Sequence, residues 1–315
     1  MKTKAGSYLL TAVLFGASLS PLHAKIERVV EKTFAVQPGG TLHIQTQGGN
    51  IQVQPSTDSQ VKVIAKQKIN ANTEAEADEI LRKLTLTIEQ AGSDISVSSK
   101  YEQRPLGFRW GSWPPVQVDF IVTMPASFTS DVRTSGGNII LGDLSGTVHA
   151  RTSGGDIKMG KISAEVDAST SGGNVSLGEG VNAVKLHTSG GNITVGRAGG
   201  VTELGTSGGN IKIDSVENTL RASTSGGDVS AGLFGLSKGD CELKTSGGNV
   251  TAFVDKAAAF KLDASTSGGR VSGEGLTITL NQAGQSRSQL KGDINGGGPL
   301  LKLRSSGGDV SIKTR

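Results

Sequence analysis

The chain has one cysteine, Cys241, in 315 residues. An internal disulfide is therefore excluded, and with it the stapled scaffolds of small secreted domains. Aromatic residues make up only 4%, too few for a compact core built from large side chains. Apolar residues are 35% and charged residues 19%, both below the globular norm. The net charge of +4 is spread along the chain with no basic block, which argues against nucleic-acid binding. Histidines number four. His23 falls in the N-terminal leader, and His43, His149 and His187 show no metal spacing and are expected to share no face. There is no Ser/His/acid set, phosphate loop or nucleotide fingerprint, so no catalytic residue, cofactor or metal is expected. Outside the leader, no apolar run is long enough to cross a bilayer.

The leader itself has the layout of a secretory signal. Lys2 and Lys4 precede a mostly apolar stretch from Tyr8 to Leu19, and Pro21 to Ala24 suggests cleavage after Ala24. Lys25 follows the cut, so no lipid anchor is implied, and the C-terminal Ser311 to Arg315 carries no obvious anchor. The expectation is an exported protein of the periplasm or cell surface, with residues 1–24 removed.

Glycine is the residue in excess, at 46, and it is periodic. A Thr-Ser-Gly-Gly block begins at Thr134, Thr152, Thr170, Thr188, Thr206, Thr224, Thr245 and Thr266, with five intervals of 18 residues and then two of 21. Thr46 to Ile51 is an early copy and Ser305 to Val310 a late one. Counting from each Thr, position 6 is always Ile or Val, and position 8 in the first five units is Leu141, Met159, Leu177, Val195 and Ile213. Positions 15 and 17 carry Val148 and Ala150, Val166 and Ala168, Val184 and Leu186, Thr202 and Leu204, then Leu220 and Ala222. Such alternation marks short strands with one buried face. Two strands and two turns per unit, stacked in register, predict an all-β parallel β-solenoid over residues 134–315. Ser-Gly-Gly is expected to form the first corner through positive φ. Gly142, Gly160, Gly178 and Gly196 at position 9 are expected to open the second turn. The turn residues Gly136, Gly137, Asn138, Gly154, Gly155, Asp156, Gly172, Gly173 and Asn174 are assigned to structure, with Asn and Asp bonding up the stack.

Two other solenoids fit less well. A hexapeptide left-handed helix needs apolar residues every six, and position 18 (Arg151, Ser169, His187, Gly205, Ser223) breaks that pattern. A calcium-binding β-roll needs carboxylates at both turns, whereas position 5 here is mostly Asn. In the 21-residue units Cys241 and Leu243, then Leu262 and Ala264 one coil later, keep the strand register. The extra residues therefore swell the second turn, which carries Phe234 and Phe253.

Residues 25–133 have a different pattern. Strands are expected at 60–65, 85–89, 94–98 and 116–124, with an amphipathic helix over 73–84 opened by the capping box Thr73-Glu74-Ala75-Glu76. This small α+β region is expected to cap an open end of the solenoid. A loop from Tyr101 to Pro115 concentrates Phe108, Trp110 and Trp113. The signal-like leader, a strand ending Met124-Pro125-Ala126, and the repeated Thr-Ser-Gly-Gly-Asn/Asp-Ile/Val together resemble a bacterial adhesin family built on a domain of unknown function. The layout is also similar to autotransporter adhesin heads. That resemblance implies a non-enzymatic binding protein and supplies no catalytic or ligand residues.

The candidate partner-binding residues are Tyr101, Phe108, Trp110, Trp113, Phe234 and Phe253, facing a cell-envelope protein or a glycan. Other readings are a polysaccharide hydrolase or lyase, or an envelope scaffolding or regulatory protein. The alternating charges His149, Asp167, Lys185, Glu203 and Arg221 at position 16 fit cross-coil pairing better than catalysis.

The inward-face assignment is directly testable by mutation. Val175→Asp, at position 6, is expected to abolish cooperative thermal unfolding. Lys185→Ala, at position 16, is expected to leave the melting temperature within about 2 °C, as for most surface changes. An unchanged melting temperature for Val175→Asp would refute the assignment.

Overall fold

A computed structural model describes residues 26–102, 115–234 and 236–315. The leader, Phe108, Trp110 and Trp113 lie outside the described residues. Each repeat contributes one strand to each of two facing sheets, which among the described residues have 13 and 14 strands. Successive coils pair in parallel and in phase. Val166 and Ala168 lie beside Val184 and Leu186 in the larger sheet, and Val175 and Leu177 beside Ile193 and Val195 in the smaller. The architecture is a β-solenoid, and its core is the thin space between the sheets.

The predicted inward columns are buried. Position 6 is sealed from Ile139 through Val250, and positions 15 and 17 from Val148 and Ala150 to Leu220 and Ala222. The repeat threonines from Thr134 to Thr266 are buried on the same face. Position 9 departs from expectation. The strands Ile157–Ile162, Val175–Gly180, Ile193–Ala198 and Ile211–Val216 run on through it. They reach a third inward position, occupied by Ile162, Gly180, Ala198 and Val216. Gly160, Gly178 and Gly196 thus lie within strands rather than opening the turn, whereas Gly142 follows the end of the strand Ile139–Leu141 as expected.

The corner glycines are also explained differently. Among the described residues the glycines with positive φ are Gly39, Gly92, Gly275, Gly296 and Gly297, none of them in a Ser-Gly-Gly corner. What the corner requires is close approach. A Cβ on Gly137, Gly155, Gly173, Gly191 or Gly209 would collide with the backbone carbonyl of the glycine one coil below. The preceding glycine has room, with a Cβ on Gly172 lying 3.4 Å from the Gly154 oxygen.

Both ends are folded out of chain order. The early copy, Thr41–Thr46 and Ile51–Ser56, is a full coil that stacks directly on Thr129–Thr134 and Ile139–Leu141. The stack therefore begins before residue 134. Asp94–Tyr101 and Val116–Pro125 come later in the chain but sit outside that coil. Antiparallel strands then close this end: Gln60–Ile69 and Ile26–Ala35 on one sheet, Leu84–Ala91 on the other. The helix spans Glu74–Arg82, with Thr73 accepting from the Glu76 N–H and Glu76 accepting from the Asn72 N–H. Its Ala77 is buried, and Arg28 of the outermost strand pairs with Glu74.

At the other end the expected sequential order fails. The coil carrying Leu262 and Ala264 does not follow the coil carrying Cys241 and Leu243. The last coil of the chain, Leu300–Ser305 and Val310–Thr314, is inserted between them. Charge explains the order. Stacking in sequence would set Glu242 opposite Asp263, and like charges directly opposite destabilise a pair. With Lys302 between them, each carboxylate faces a cation. The antiparallel pair Gln289–Ile294 and Ile278–Ser286 closes this end.

The close-approach argument separates two adjacent glycines. Gly173→Ala is expected to cost about 1–3 kcal/mol, as overpacking does, and Gly172→Ala under about 1 kcal/mol. Chemical denaturation of the two variants checks this, and equal costs would remove the explanation.

Candidate interaction surface

The corner threonine and Asn/Asp side chains are committed to holding the stack. Thr134 Oγ1 donates to the Gly49 carbonyl at 2.8 Å and accepts from the Gly137 N–H at 3.3 Å. The same pair of bonds repeats at Thr152, Thr170, Thr188, Thr206, Thr224, Thr245 and Thr266. Beside it runs an Asn/Asp ladder. Asn138 Oδ1 accepts from the Asp156 N–H, Asp156 Oδ1 from Asn174, and Asn174 Oδ1 from Asn192, each at 2.7–2.8 Å. Asn138, Asp156 and Asn174 thus bond up the stack, beside glycines whose part in the corner is close approach rather than positive φ.

The Asn/Asp ladder starts at Asp119, a buried carboxylate whose Oδ1 accepts from the Asn50 N–H at 2.8 Å and whose Oδ2 meets Lys68 Nζ at 2.7 Å. Burial pushes the Asp119 carboxyl up. The hydrogen bonds from Lys68, Asn50 and Gln117 outweigh it and hold the group below its ordinary value.

The outer face of the larger sheet presents ordered rows of side chains to a partner. Register aligns one row there: His43, Asp131, His149, Asp167, Lys185, Glu203, Arg221, Glu242, Lys302, Asp263 and Lys291. From Asp131 onward carboxylates alternate with basic residues. A second row two residues along includes Gln45, Arg133, Arg151, Ser169 and His187. His43, His149 and His187 therefore do share a face, contrary to the sequence expectation. The reason is that the early copy is a stacked coil, which brings His43 into the row. Near one end His43, Gln45, Ser96, Ser98, Asp131 and Arg133 line a shallow open groove of about 290 Å³. His43 Nδ1 stands 3.4 Å from Asp131 Oδ2, and Arg133 Nε 3.1 Å from Asp131 Oδ1. Sequence reasoning missed this groove. The signal for it was the early Thr-Gln-Gly-Gly-Asn-Ile copy, which shares the repeat register.

The predicted aromatic sites divide. Tyr101 ends the strand Asp94–Tyr101 with its side chain buried, so it is part of the core rather than an exposed contact. Its strand register, which alternates inward from Ile95, dictates this. Phe234 and Phe253 are half-buried and brought together from adjacent coils. The Arg315 guanidinium carbon lies 5.8 Å from one ring and 5.7 Å from the other, within cation–π range. Among the described residues no group of His, Cys, Asp and Glu is placed to hold a metal ion, and no helix is long and apolar enough to cross a membrane.

The stacked, repeat-built sheets spanning nearly the whole chain agree with one family, matched over residues 40–313. The chain belongs to the Toastrack DUF4097 family. No curated protein matches it. Among solved structures this Toastrack chain is similar to a candidate adhesin from Bacteroides fragilis, with 10% identity and a TM-score of 0.42, covering 91% of this chain and 97% of that one. It is also similar to a candidate lipid-binding protein from Parabacteroides distasonis, with 11% identity, a TM-score of 0.41 and coverage of 90% and 96%.

The state of Asp119 makes the Toastrack stack acid-sensitive. A carboxylate whose folded pKa is lowered stabilises the fold above its unfolded value, and that contribution is lost as pH falls through the folded one. Wild type is expected to lose melting temperature from about pH 5 downward. Asp119→Asn, which keeps an acceptor for Asn50 but loses the Lys68 pair, should start about 1–2 kcal/mol less stable at pH 7 and show a shallower acid slope. Identical slopes in a pH series of thermal melts would exclude Asp119 as a contributor.

Proposed function

We propose that this Toastrack protein is an exported, non-enzymatic, adhesin-like solenoid that binds a partner at the cell envelope or surface, with a glycan as the favoured class. The observation that carries this reading is the outer face of the larger sheet. There a rigid stack presents two periodic rows of charged and hydrogen-bonding side chains, ending in the polar groove at His43, Asp131 and Arg133. Consecutive coils lie about 4.8 Å apart, close to the length of one sugar residue. A linear polymer with repeating hydroxyl groups can therefore meet the rows in phase.

The signal-like residues 1–24 support export to the periplasm or the cell surface. A polysaccharide-cleaving function would call for two carboxyl groups within reach of one bond. In the outer row each carboxylate is instead separated from the next by a basic residue, as Asp131 is from Asp167 by His149. That spacing favours binding.

The test is a glycan and envelope pull-down with residues 25–315, beside the variants His43→Ala/Arg133→Ala and Trp110→Ala/Trp113→Ala. Loss of capture in the first variant is expected. Loss only in the second would move the site to the 101–115 loop. Product release from a polysaccharide incubated with wild type would overturn the non-enzymatic reading.

A further inference from the structure

The inserted last coil has the properties of a bound ligand rather than of a terminus continuing a stack. Both its strands are flanked on each side by strands from earlier in the chain. The contacts that hold it lead out of the segment. Ser305 Oγ donates to the Gly248 carbonyl at 2.7 Å, and the Gly308 carbonyl accepts from Thr266 Oγ1 at 2.7 Å. The Asp309 N–H donates to Asn249 Oδ1, and Asp309 Oδ1 accepts from the Arg270 N–H, both at 2.8 Å. Lys302 Nζ pairs with Glu242 at 2.8 Å, Arg304 pairs with Asp263, and Arg315 rests on Phe234 and Phe253.

A hinge leads into the segment. Asn295, Gly296 and Gly297 have φ of 49°, 93° and 81°, and Gly298 and Pro299 complete the link to Leu300. Without the segment, the coils at 241–254 and 260–274 would face each other across a slot one coil thick. Both walls would carry unpaired backbone, and an unpaired strand edge is a template for another strand. The walls are matched in charge, corner hydrogen bonds and side-chain register to one sequence, residues 300–315.

We infer that this slot is a self-association surface: residues 300–315 form an exchangeable clasp, and in a dimer each copy's clasp seats in the other's slot. The hinge sets the balance between the two states. In the monomer it turns the chain back around the end of the Phe260–Thr266 strand. In the dimer it opens and delivers the clasp to a second copy, with every contact named above re-formed between chains.

Cys241 reports on the slot. It lies directly beside Leu301, is buried, and has its pKa pushed up to about 11 by burial. Its Sγ rests against the Asn218 carbonyl of the preceding coil, and a filled slot adds Leu301 as cover on the other side, which an open slot removes.

The test deletes Gly296, Gly297 and Gly298 from the full chain. Three peptide steps reach about 10–11 Å, within about 1 Å of the bare separation of two strand spacings, about 9.6 Å. Too little is then left for rounding the strand between. The expected result is a doubled mass by light scattering with Cys241 still protected from a thiol reagent. A monomer overturns the proposal, whether Cys241 is protected (the hinge is not needed) or exposed (a second copy does not fill the slot). Should the deletion unfold the chain, wild type decides. Two differently tagged copies, mixed at high concentration and warmed below the melting transition, are expected to co-purify. Their failure to do so overturns the inference.

Discussion

The structure depends on how closely two backbones approach at one corner. A glycine carbonyl in each coil accepts the threonine hydroxyl of the next coil, and that next coil's own glycine must come close enough that no Cβ fits between them. The requirement fixes the spacing of coils at that edge and hence the register of every strand leaving it. The two hydrogen bonds at each threonine are individually modest, about 1 kcal/mol net each. Their repetition at every level gives the thin core its phase. Small and β-branched residues then suffice, because each coil is covered above and below by its neighbours rather than by large side chains.

A stack defined by its neighbours has no intrinsic end, and the chain solves this at each end in the same way. It lays down a coil, leaves to build antiparallel strands, and returns to a place beside a coil already formed. Thr41–Ser56 is covered by Asp94–Tyr101 and Val116–Pro125 on one side and by Thr129–Thr134 and Ile139–Leu141 on the other. Leu300–Thr314 is held between Cys241–Val254 and Phe260–Glu274. Parallel pairing alone would accept any coil beside any other, since the corner motif is common to all. Outward charge is what tells them apart. Lys302 belongs between Glu242 and Asp263, where each carboxylate is held below its ordinary value. For Glu242 the hydrogen bond from Lys302 leads, and for Asp263 the pairing with Arg304 and Lys291 outweighs the upward push of burial.

This division explains what was legible in the sequence. The inward columns and the Thr and Asn ladders repeat every 18 residues, so periodicity revealed them down to individual positions such as Val175 and Asn174. The two departures within the repeat came from reading glycine as a turn former, through positive φ at the Ser-Gly-Gly corner and as the start of the second turn at position 9. Gly173 and Gly160 are there because a neighbouring backbone or side chain occupies the space a Cβ would need, and spacing along one chain does not distinguish those causes. The order of coils at the ends was hidden for a different reason. Adjacent copies in sequence are expected to be adjacent in space, and only the like charges of Glu242 and Asp263 argued otherwise. The groove at His43 was missed with it, since it exists only once the early copy is placed in the stack.

The same physics bears on why the outer face, and not the corners, is the surface to consider for partners. The corner Thr hydroxyls and Asn/Asp side-chain oxygens are already paired within the stack, so a ligand there would have to displace bonds it could at best replace. On the outer face of the larger sheet, pairs such as Arg151 with Asp167 reach solvent and are worth little individually. Exchanging them for bonds to a ligand therefore loses little. A row of such weak pairs, held at fixed spacing by a strong interior, can be recruited several at a time by a polymer. Multivalent contact then supplies the affinity that no single site on the face provides.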